Sequence, residues 1–335
     1  MVNARLVLGV RTKGPVRLQL RPVTMTDASK VADLETLRNP DEPRDPEMVA
    51  FWWTANPSDE VFIRMLAERD GLAVAYLSAA HRPWEETADR FGSIRLALHP
   101  DIWSEQQYDQ LVEVAESWVH SEGATIGVVR VRESFTKDVD VLERRGYREV
   151  RRARQWELDL LANRDRLLQG AKDGRARMDE QGVSMLTLEK DTDPAHLAKL
   201  YELTSAAEQD IPTTVPLHVM SYDEWHHLWF ENPAITSDRF WIAREGDQIV
   251  GLSAIEYPPT RGHPWTAFTA TARSVRGRGI ARALKYQTVA QAIALGAKRI
   301  GTTNDGENSP ILHLNAEMGY EPIDPVLEMH RELGS

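Results

Sequence analysis

The chain has 335 residues, of which 42% are hydrophobic and 27% are charged, with a formal net charge of −11 and no cysteine. Its length suggests about two domains, and its composition is that of a globular protein. The absence of cysteine excludes disulfides, thiolate metal sites and a cysteine nucleophile. The negative charge argues against a general nucleic-acid-binding protein.

The N-terminal segment has only a brief apolar run, which Arg11 and Lys13 interrupt, and it has no small-residue cleavage site. The longest weakly polar stretch, Thr288 to Ala297, is far shorter than the roughly 20 apolar residues that span a membrane. These features predict a cytoplasmic protein without a signal peptide and without a membrane partner.

In chain order, residues 1–160 predict a first α/β domain. An extended segment from Val16 changes to helical spacing at an Asp/Thr-rich cap, and a Trp-rich segment, "AFWWTANP", follows. A hairpin turns at Asp70-Gly71, and a further strand, "GSIRLAL", leads into a long amphipathic helix and a closing Gly-Tyr pair. Residues 161–182 are charged and contain three glycines, so we expect the end of a helix and a linker there.

Residues 183–335 repeat the plan of the first domain. An extended segment and a helix precede a second Trp-rich segment, "DEWHHLWFENP", and a hairpin turns at Gly246-Asp247. The strand "TAFTATA", a long helix and Gly319-Tyr320 complete the series. The distance along the chain from Leu98 to Gly146 equals that from Thr271 to Gly319, at 48 positions. We therefore predict a duplicated α/β domain.

Residues 276–285 read "RGRGIARALK" and lie between the last of these strands and a long helix. Gly277 and Gly279 allow a phosphate to approach the backbone, and the free N–H groups and dipole of the following helix attract an anion. Arg276, Arg278 and Arg282 add donors. Three or four charge-assisted hydrogen bonds, each of roughly 1.5–3 kcal/mol, are enough to anchor a pyrophosphate. The glycine spacing fits neither a dinucleotide fingerprint nor a Walker loop.

This turn resembles the acyl-CoA-binding motif of the GNAT acetyltransferases, [QR]-x-x-G-x-[GA], with Arg276, Gly279 and Ala281 in its three defined positions. The helix, the strand "AKRIGTTN", the Asn-containing loop, the short helix and the Gly-aromatic pair that follow are also similar to that family. The resemblance covers about residues 183–333 and is closest to tandem-domain members of the mycothiol-synthase type. It implies two tandem GNAT-like domains, each a twisted mixed sheet flanked by helices.

The resemblance further implies acetyl-CoA as co-substrate. The strand "FTATA" should diverge from its neighbour, so that its backbone can pair with the pantetheine arm and an N–H near Ala270 can polarise the acetyl carbonyl. The residues implied in acetyl-CoA binding are Thr269, Ala270, Thr271, Arg276, Gly277, Arg278, Gly279, Ile280, Ala281 and Asn308. No metal is expected, because the adjacent His226 and His227 cannot both face one ion from a helix.

In the first half, Trp103-Ser104-Glu105-Gln106 occupies the place of the glycine turn. It has no glycine, and Glu105 would repel a phosphate. We expect this half to keep the framework without binding acyl-CoA in the usual way, to pack on the second half and to form part of the substrate cleft. An unusual mode of acyl-CoA binding is the alternative.

Acyl transfer to an amine needs a base, a stabilised oxyanion and a proton for the thiolate. The family's usual base position falls near Trp265, so Glu256, at the end of "VGLSAIE", is the first candidate for the base, with a solvated strand end as the alternative. His263, in the loop "PPTRGHPW", is the second candidate, although a loop histidine is more often simply exposed. Asn315 occupies the family's usual tyrosine acid position, which leaves Tyr320, Tyr257 or a water as the proton source.

The second Trp-rich segment carries Tyr222, Trp225 and Glu231. These side chains are either core packing or an aromatic and acidic wall for a cationic amine. Together the features predict an N-acetyltransferase that transfers an acetyl group directly from acetyl-CoA to a primary amine of a small molecule. A protein lysine or N-terminal acetyltransferase and a non-catalytic acyl-CoA sensor are the alternatives. The expected oligomeric state is a monomer or a homodimer.

Overall fold

The computed structural model describes residues 18–56, 60–82, 89–211, 213–215, 217–305 and 309–334. Its strands are β1 (Arg21–Pro22), β2 (Val61–Arg69), β3 (Leu72–His81), β4 (Phe91–Leu98), β5 (Ile126–Arg132), β6 (Arg148–Asp159), β7 (Ser184–Thr187), β8 (Phe240–Glu245), β9 (Gln248–Glu256), β10 (Trp265–Thr271), β11 (Arg299–Asp305) and β12 (Glu321–Glu332). Its α-helices are α1 (Ala28–Arg38), α2 (Pro46–Thr54), α3 (Glu105–Ser121), α4 (Thr136–Arg144), α5 (Arg164–Glu180), α6 (His196–Glu208), α7 (Tyr222–Phe230), α8 (Ile280–Ala294) and α9 (Ser309–Met318).

Local sequence explains where several helices begin. Asp45 precedes Pro46 at the start of α2 and accepts a hydrogen bond from Glu47 N at 2.8 Å. Ser221 and Glu224 form a reciprocal capping box at the start of α7. Such caps satisfy backbone N–H groups that have no partner within the helix. No helix in these described segments is long and apolar enough to cross a membrane.

The strands of the described chain form one mixed sheet in the order β1-β2-β3-β4-β5-β12-β6-β11-β10-β9-β8-β7. Neighbouring strands are antiparallel except for β4 with β5 and β10 with β11, which are parallel. Helices pack against this sheet: α3 buries Leu111 and Val119 in the core of the first half, and α8 buries Val289 in the core of the second. Each fully buried aliphatic side chain contributes roughly 1.5–3 kcal/mol. The predicted α/β class, with a mixed sheet flanked by helices, is confirmed.

The two halves exchange their closing strands. β12, the last strand of the second half, pairs with β5 of the first half from Val326 to Glu332. β6, which ends the first half, pairs with β11 of the second half along its length, and β6 and β12 pair with each other. Each half of the sheet is therefore completed by a strand from the other half. The repeat predicts which elements occur, but it does not determine which sheet edge a closing strand joins.

Residues 161–182, which we expected to be a helix end and a linker, are mostly the helix α5. Its charged side chains suggested a linker, yet Leu167 and Met178 are buried. α5 lies so close to α8 that a Cβ atom at Gly170 would stand 2.3 Å from the ring of Tyr286. The segment is thus a packed element, and the domain division at residues 160 and 183 stays a prediction.

A buried carboxylate joins the first half to the loop between β9 and β10. Asp45 Oδ2 accepts hydrogen bonds from Thr260 N at 2.7 Å, Thr260 Oγ1 at 2.5 Å and Arg261 N at 2.9 Å. Burial alone would raise the pKa of Asp45, but the hydrogen bonds from Thr260 and Arg261 hold it below its usual range. Arg261 also forms an ion pair with Asp33 at 2.8 Å. The second half's loop is therefore fixed to the first half.

Candidate active site

Strands β10 and β11 diverge shortly after they meet. They pair only at Trp265 and Thr266, although β10 continues to Thr271. The pairing of β10 with β9 shifts register between Thr266 and Phe268, which is a bulge that bends β10 at this point. The sheet therefore opens between two parallel strands, as the family resemblance implied.

The backbone of β10 presents alternate residues to this gap. Ala272 N donates to Val250 O at 2.9 Å just beyond the strand. In an antiparallel pair, every second residue directs its N–H and C=O groups toward the partner strand. Like Ala272, Ala270 therefore directs its backbone groups toward β9, and Thr269 and Thr271 direct theirs toward the gap. The expectation of free backbone groups thus fits Thr269 and Thr271, whereas it is wrong for Ala270.

The glycine turn leads directly into α8. Gly277 and Gly279 have φ values of 80° and 85°, and Gly279 is the N-cap of the helix. A Cβ atom at either glycine would meet no atom within 4 Å. The N–H groups of Ile280, Ala281 and Arg282 have no carbonyl partner within the helix, and they lie at the positive end of its dipole. The turn therefore offers open space in front of several hydrogen-bond donors.

The arginines of the turn form ion pairs with acidic side chains on the surface. The pairs are Arg276–Asp210, Arg278–Glu245 and Arg282–Glu317. All six side chains are partly exposed, and exposed ion pairs of this kind contribute only about 0–1 kcal/mol. An incoming phosphate can therefore compete for these guanidinium groups. Asn308, the remaining predicted acetyl-CoA contact, lies outside the described residues.

A cleft of about 510 Å³ lies between the two halves. The second half contributes Glu256, His263 and Thr266 to its wall, and the first half contributes residues of α1, α2 and strands β2–β4. Side chains alternate between the faces of a strand, so Glu256 lies on the opposite face of β9 from Ser253, whose hydroxyl contacts Thr288 of α8. The cleft and the α8 turn are therefore on opposite faces of the sheet.

The cleft brings together two of the three predicted catalytic residues, Glu256 and His263. Burial raises the pKa of Glu256, and the charge of Arg44 partly offsets this effect. His263 was expected in an exposed loop, but it is only 9% exposed, because Asp45 fixes this loop to the first half. Burial, together with the charge of Arg299, lowers the pKa of His263 to about 4. A carboxylate with a raised pKa suits a general base better than a histidine that hardly takes up a proton.

The third predicted catalytic residue, Tyr320, is buried near a charged side chain that sequence analysis did not identify. Lys285 is 1% exposed, donates a hydrogen bond to Asn315 Oδ1, and lies 4.5 Å from the centre of the Tyr320 ring. Asn315 in turn donates to Asn304 Oδ1 at 2.6 Å. Burial lowers the pKa of Lys285 to about 7. Burial raises the pKa of Tyr320, and the Thr266 hydroxyl only partly offsets this increase.

The predicted substrate wall on α7 does not line the cleft. Trp225 is fully buried in the core, which contradicts a role in substrate contact. Tyr222 is 39% exposed and its ring contacts Trp225, while Glu231 pairs with His227 at 2.8 Å. None of these three residues is among those that line the cleft. The spacing that suggested a wall instead packs the helix on the sheet.

The first half supplies cleft residues that sequence analysis missed. They include Glu35 of α1, Trp52 and Trp53 of α2, and Arg64 and Arg95 of β2 and β4. Arg64 and Arg95 interrupt otherwise apolar strands, "VFIRML" and "SIRLAL". A positively charged residue within an otherwise apolar strand is unusual, and this was the signal that could have identified them.

The first half has its own gap between parallel strands, but protein groups fill it. β4 and β5 pair only as far as Ile94 on β4. Beyond this point Arg38 Nη1 donates to Leu96 O at 2.9 Å, and Arg38 also pairs with Asp138. Asp138 accepts a hydrogen bond from Trp103 Nε1 at 2.8 Å. The groups that would face a pantetheine arm are therefore already engaged.

Comparisons with known proteins agree with this architecture. The sequence model of the acetyltransferase (GNAT) family matches residues 197–320. A GCN5-related N-acetyltransferase from Sphaerobacter thermophilus is 20% identical with a TM-score of 0.67, over 96% of this chain and 97% of its own. A tandem GNAT protein from the clavulanic acid biosynthesis pathway is 16% identical with a TM-score of 0.72, over 95% and 99%. No curated protein matches the sequence.

Residues 197–320 form a GNAT acetyltransferase domain. The whole chain has the fold of a tandem GNAT protein. Within the described segments, no group of three or more His, Asp or Glu side chains could hold a metal ion.

Proposed function

We propose that the protein transfers an acetyl group from acetyl-CoA, bound by the second half, to a primary amine of a small molecule held in the cleft between the halves. The observation that carries this proposal is the position of the cleft. It reaches the diverging strands from the face opposite to α8, and it contains Glu256. An acetyl group placed in the gap would meet an amine that enters from the other side.

The second half supports the acetyl-CoA part of the proposal. The N–H groups at the start of α8, beyond Gly277 and Gly279, would bind the pyrophosphate. The backbone groups of Thr269 and Thr271 would pair with the pantetheine arm, and one of their N–H groups would stabilise the oxyanion. GNAT acetyltransferases use acetyl-CoA as their co-substrate.

Glu256 would act as the general base. It takes a proton from the ammonium form of the acceptor, and the neutral amine nitrogen attacks the acetyl carbonyl carbon. The new C–N bond forms, the C–S bond breaks, and the coenzyme A thiolate leaves and takes up the proton that the attacking nitrogen loses. This direct route needs no covalent enzyme intermediate, which fits a chain without cysteine.

The alternatives find less support. A protein lysine or N-terminus would need a more open approach than a cleft enclosed by two halves. A non-catalytic acyl-CoA sensor is favoured by Asn315, an amide where the family resemblance places a tyrosine acid. However, a sensor gives no reason for a carboxylate with a raised pKa at the divergence of the strands.

Calorimetric titration of acetyl-CoA, followed by an amine screen with a thiol-release assay, tests the proposal. We expect one molecule of acetyl-CoA per chain, because Arg38 occupies the gap of the first half. Two molecules per chain would contradict the account of the first half. Binding without release of thiol in the presence of any amine would favour the sensor.

A further inference from the structure

Three side chains form a row across the first-half wall of the cleft. Arg64 on β2 lies directly opposite Ser78 on β3, and Ser78 lies directly opposite Arg95 on β4. Residues paired in this way are on the same face of a sheet, with Cβ atoms about 4.5–5.5 Å apart. All three line the cleft. The row therefore presents two guanidinium groups on either side of one hydroxyl.

The two arginines have little negative charge to balance them. The Arg64 guanidinium donates to Trp53 O at 3.3 Å and Asn56 Oδ1 at 2.9 Å, and it lies over the ring of Phe62. The charge of Glu60 attracts it. The two oxygens that accept its hydrogen bonds are neutral, although burial disfavours a charged group.

Arg95 has a carboxylate partner, but it shares that partner. Arg95 Nη2 lies 2.7 Å from Glu35 Oε2, and Arg44 Nε lies 3.6 Å from the same oxygen. Glu42 and Asp45, which also line the cleft, are bonded to Arg132 and to the β9–β10 loop. Arg44 and Arg95 therefore share the charge of Glu35, while Arg64 donates its hydrogen bonds to neutral oxygens.

The cleft is continuous from this row to the proposed base. Arg44 is attracted by Glu35, and its own charge acts on Glu256. Trp53 and Tyr76, whose rings stack and whose side chains share a hydrogen bond of 3.2 Å, support the wall beside the row. Arginine is the side chain best suited to hold the paired oxygens of a carboxylate or phosphate.

We infer that the row formed by Arg64, Ser78 and Arg95 binds an oxyanion group of the acceptor, a carboxylate or a phosphate. The acceptor is then a small molecule that carries a primary amine at one end and an anionic group at the other. Its anionic group contacts the first half, and its amine reaches Glu256. This inference rests on the proposed function for the amine end, and it gives the first half a direct part in acceptor recognition.

Matched pairs of amines test the inference on the full chain. O-Phosphoethanolamine is compared with ethanolamine, and β-alanine is compared with its amide, by calorimetry in the presence of acetyl-CoA and by thiol release. We expect at least one anionic compound to bind at least about tenfold more tightly than its neutral partner. The two pairs distinguish a phosphate from a carboxylate.

Arg64→Gln and Arg95→Gln should each weaken binding of the preferred anionic compound by about tenfold to a hundredfold, and should leave binding of its neutral partner unchanged. Arg64→Lys should retain part of the affinity, because it keeps the charge but not the planar group. Arg144→Gln is the control, since Arg144 is an exposed arginine of α4 that pairs with Glu105 outside the cleft.

Acetyl-CoA binding reports whether each variant is folded. Equal binding of both members of each pair to the unaltered protein overturns the inference, whatever the variants do. An equal loss in Arg144→Gln also overturns it, because the effect would then be one of overall charge. Arginine-dependent binding of the anionic compound without acetylation of any amine would support the inference and contradict the proposed function. Acetylation of neutral amines alone would support the proposed function and contradict the inference.

Discussion

A single substitution, Gly279→Glu, tests whether the turn before α8 holds the pyrophosphate of acetyl-CoA. Gly279 has a φ of 85° and has no atom within 4 Å of a Cβ position. The new side chain therefore has room, and the backbone cost of a left-handed residue is about 1–2 kcal/mol. The carboxylate would stand in front of the free N–H groups of Ile280, Ala281 and Arg282.

The expected loss of affinity follows from those hydrogen bonds. Each charge-assisted hydrogen bond to a phosphate oxygen contributes roughly 1.5–3 kcal/mol. A carboxylate that competes for two of them removes about 3–6 kcal/mol, which corresponds to a loss of at least a hundredfold. Repulsion between the carboxylate and the pyrophosphate adds to this loss.

The measurement is calorimetric titration of acetyl-CoA, with Gly296→Glu as the matched control. Gly296 follows the other end of α8, has a φ of 79°, and also has no atom within 4 Å of a Cβ position. It therefore reproduces the backbone strain and the change in charge at a distance from the turn. We expect the control to change affinity less than about threefold, which is under 1 kcal/mol.

Two results would refute this reasoning. An unchanged affinity in Gly279→Glu would show that the pyrophosphate does not bind at the turn. An equal loss in Gly296→Glu would show that strain in α8, rather than the local carboxylate, had lowered the affinity.

Further predictions concern the base, the junction and the exchanged strands. In Glu256→Gln, turnover should fall about 10²–10⁴-fold, while the affinity for acetyl-CoA should stay intact. In the unaltered protein kcat/KM should rise as the pH passes through the raised pKa of Glu256, and this rise should disappear in the variant. A retained rise would exclude Glu256 as the base. Asp45→Asn should lower the free energy of unfolding by roughly 2–4 kcal/mol. The control is Asp140→Asn, which changes an exposed carboxylate of α4 and should have little effect. Because the pKa of Asp45 is lowered by folding, its contribution is complete above the unfolded value near 3.9 and is lost as the pH falls through the folded value, so acid unfolding should become less steep in the variant. A chain that begins at Val183 lacks β6 and α5 and should not bind acetyl-CoA, whereas one that begins at Arg148 should; binding by the shorter chain would show that the exchange is dispensable.

The features that could be predicted from the sequence are local. The spacing of Gly277 and Gly279 between a strand and a helix is contained in a few residues, and the structure forms that turn. The duplication was visible because each element and its turn occur in the same order twice. Glu256 could be placed at the end of β9 from the strand pattern alone, although the sequence did not show that this end lines a cleft.

The features that could not be predicted depend on distant parts of the chain. His263 is buried only because its loop is fixed to Asp45, more than 200 positions earlier. Arg64 and Arg95 become neighbours of one hydroxyl only through strand register. For Trp225, helical spacing indicated one face of α7 but not which structure that face would meet. Such outcomes depend on how elements pack, which periodicity does not specify.

The exchange of closing strands explains why a half without the glycine turn is integral to the protein. β12 lies between β5 and β6, which both belong to the first half, so removal of that half would leave both of its edges without hydrogen-bond partners. The first half also fills the gap between its own parallel strands with Arg38. The face of its sheet opposite to α3 lines the cleft. A side chain in the gap stabilises this half without a ligand, and the arginines of β2 and β4 are then available to an acceptor. The two halves are thus similar in fold but differ in chemistry, because one gap is open and the other is closed.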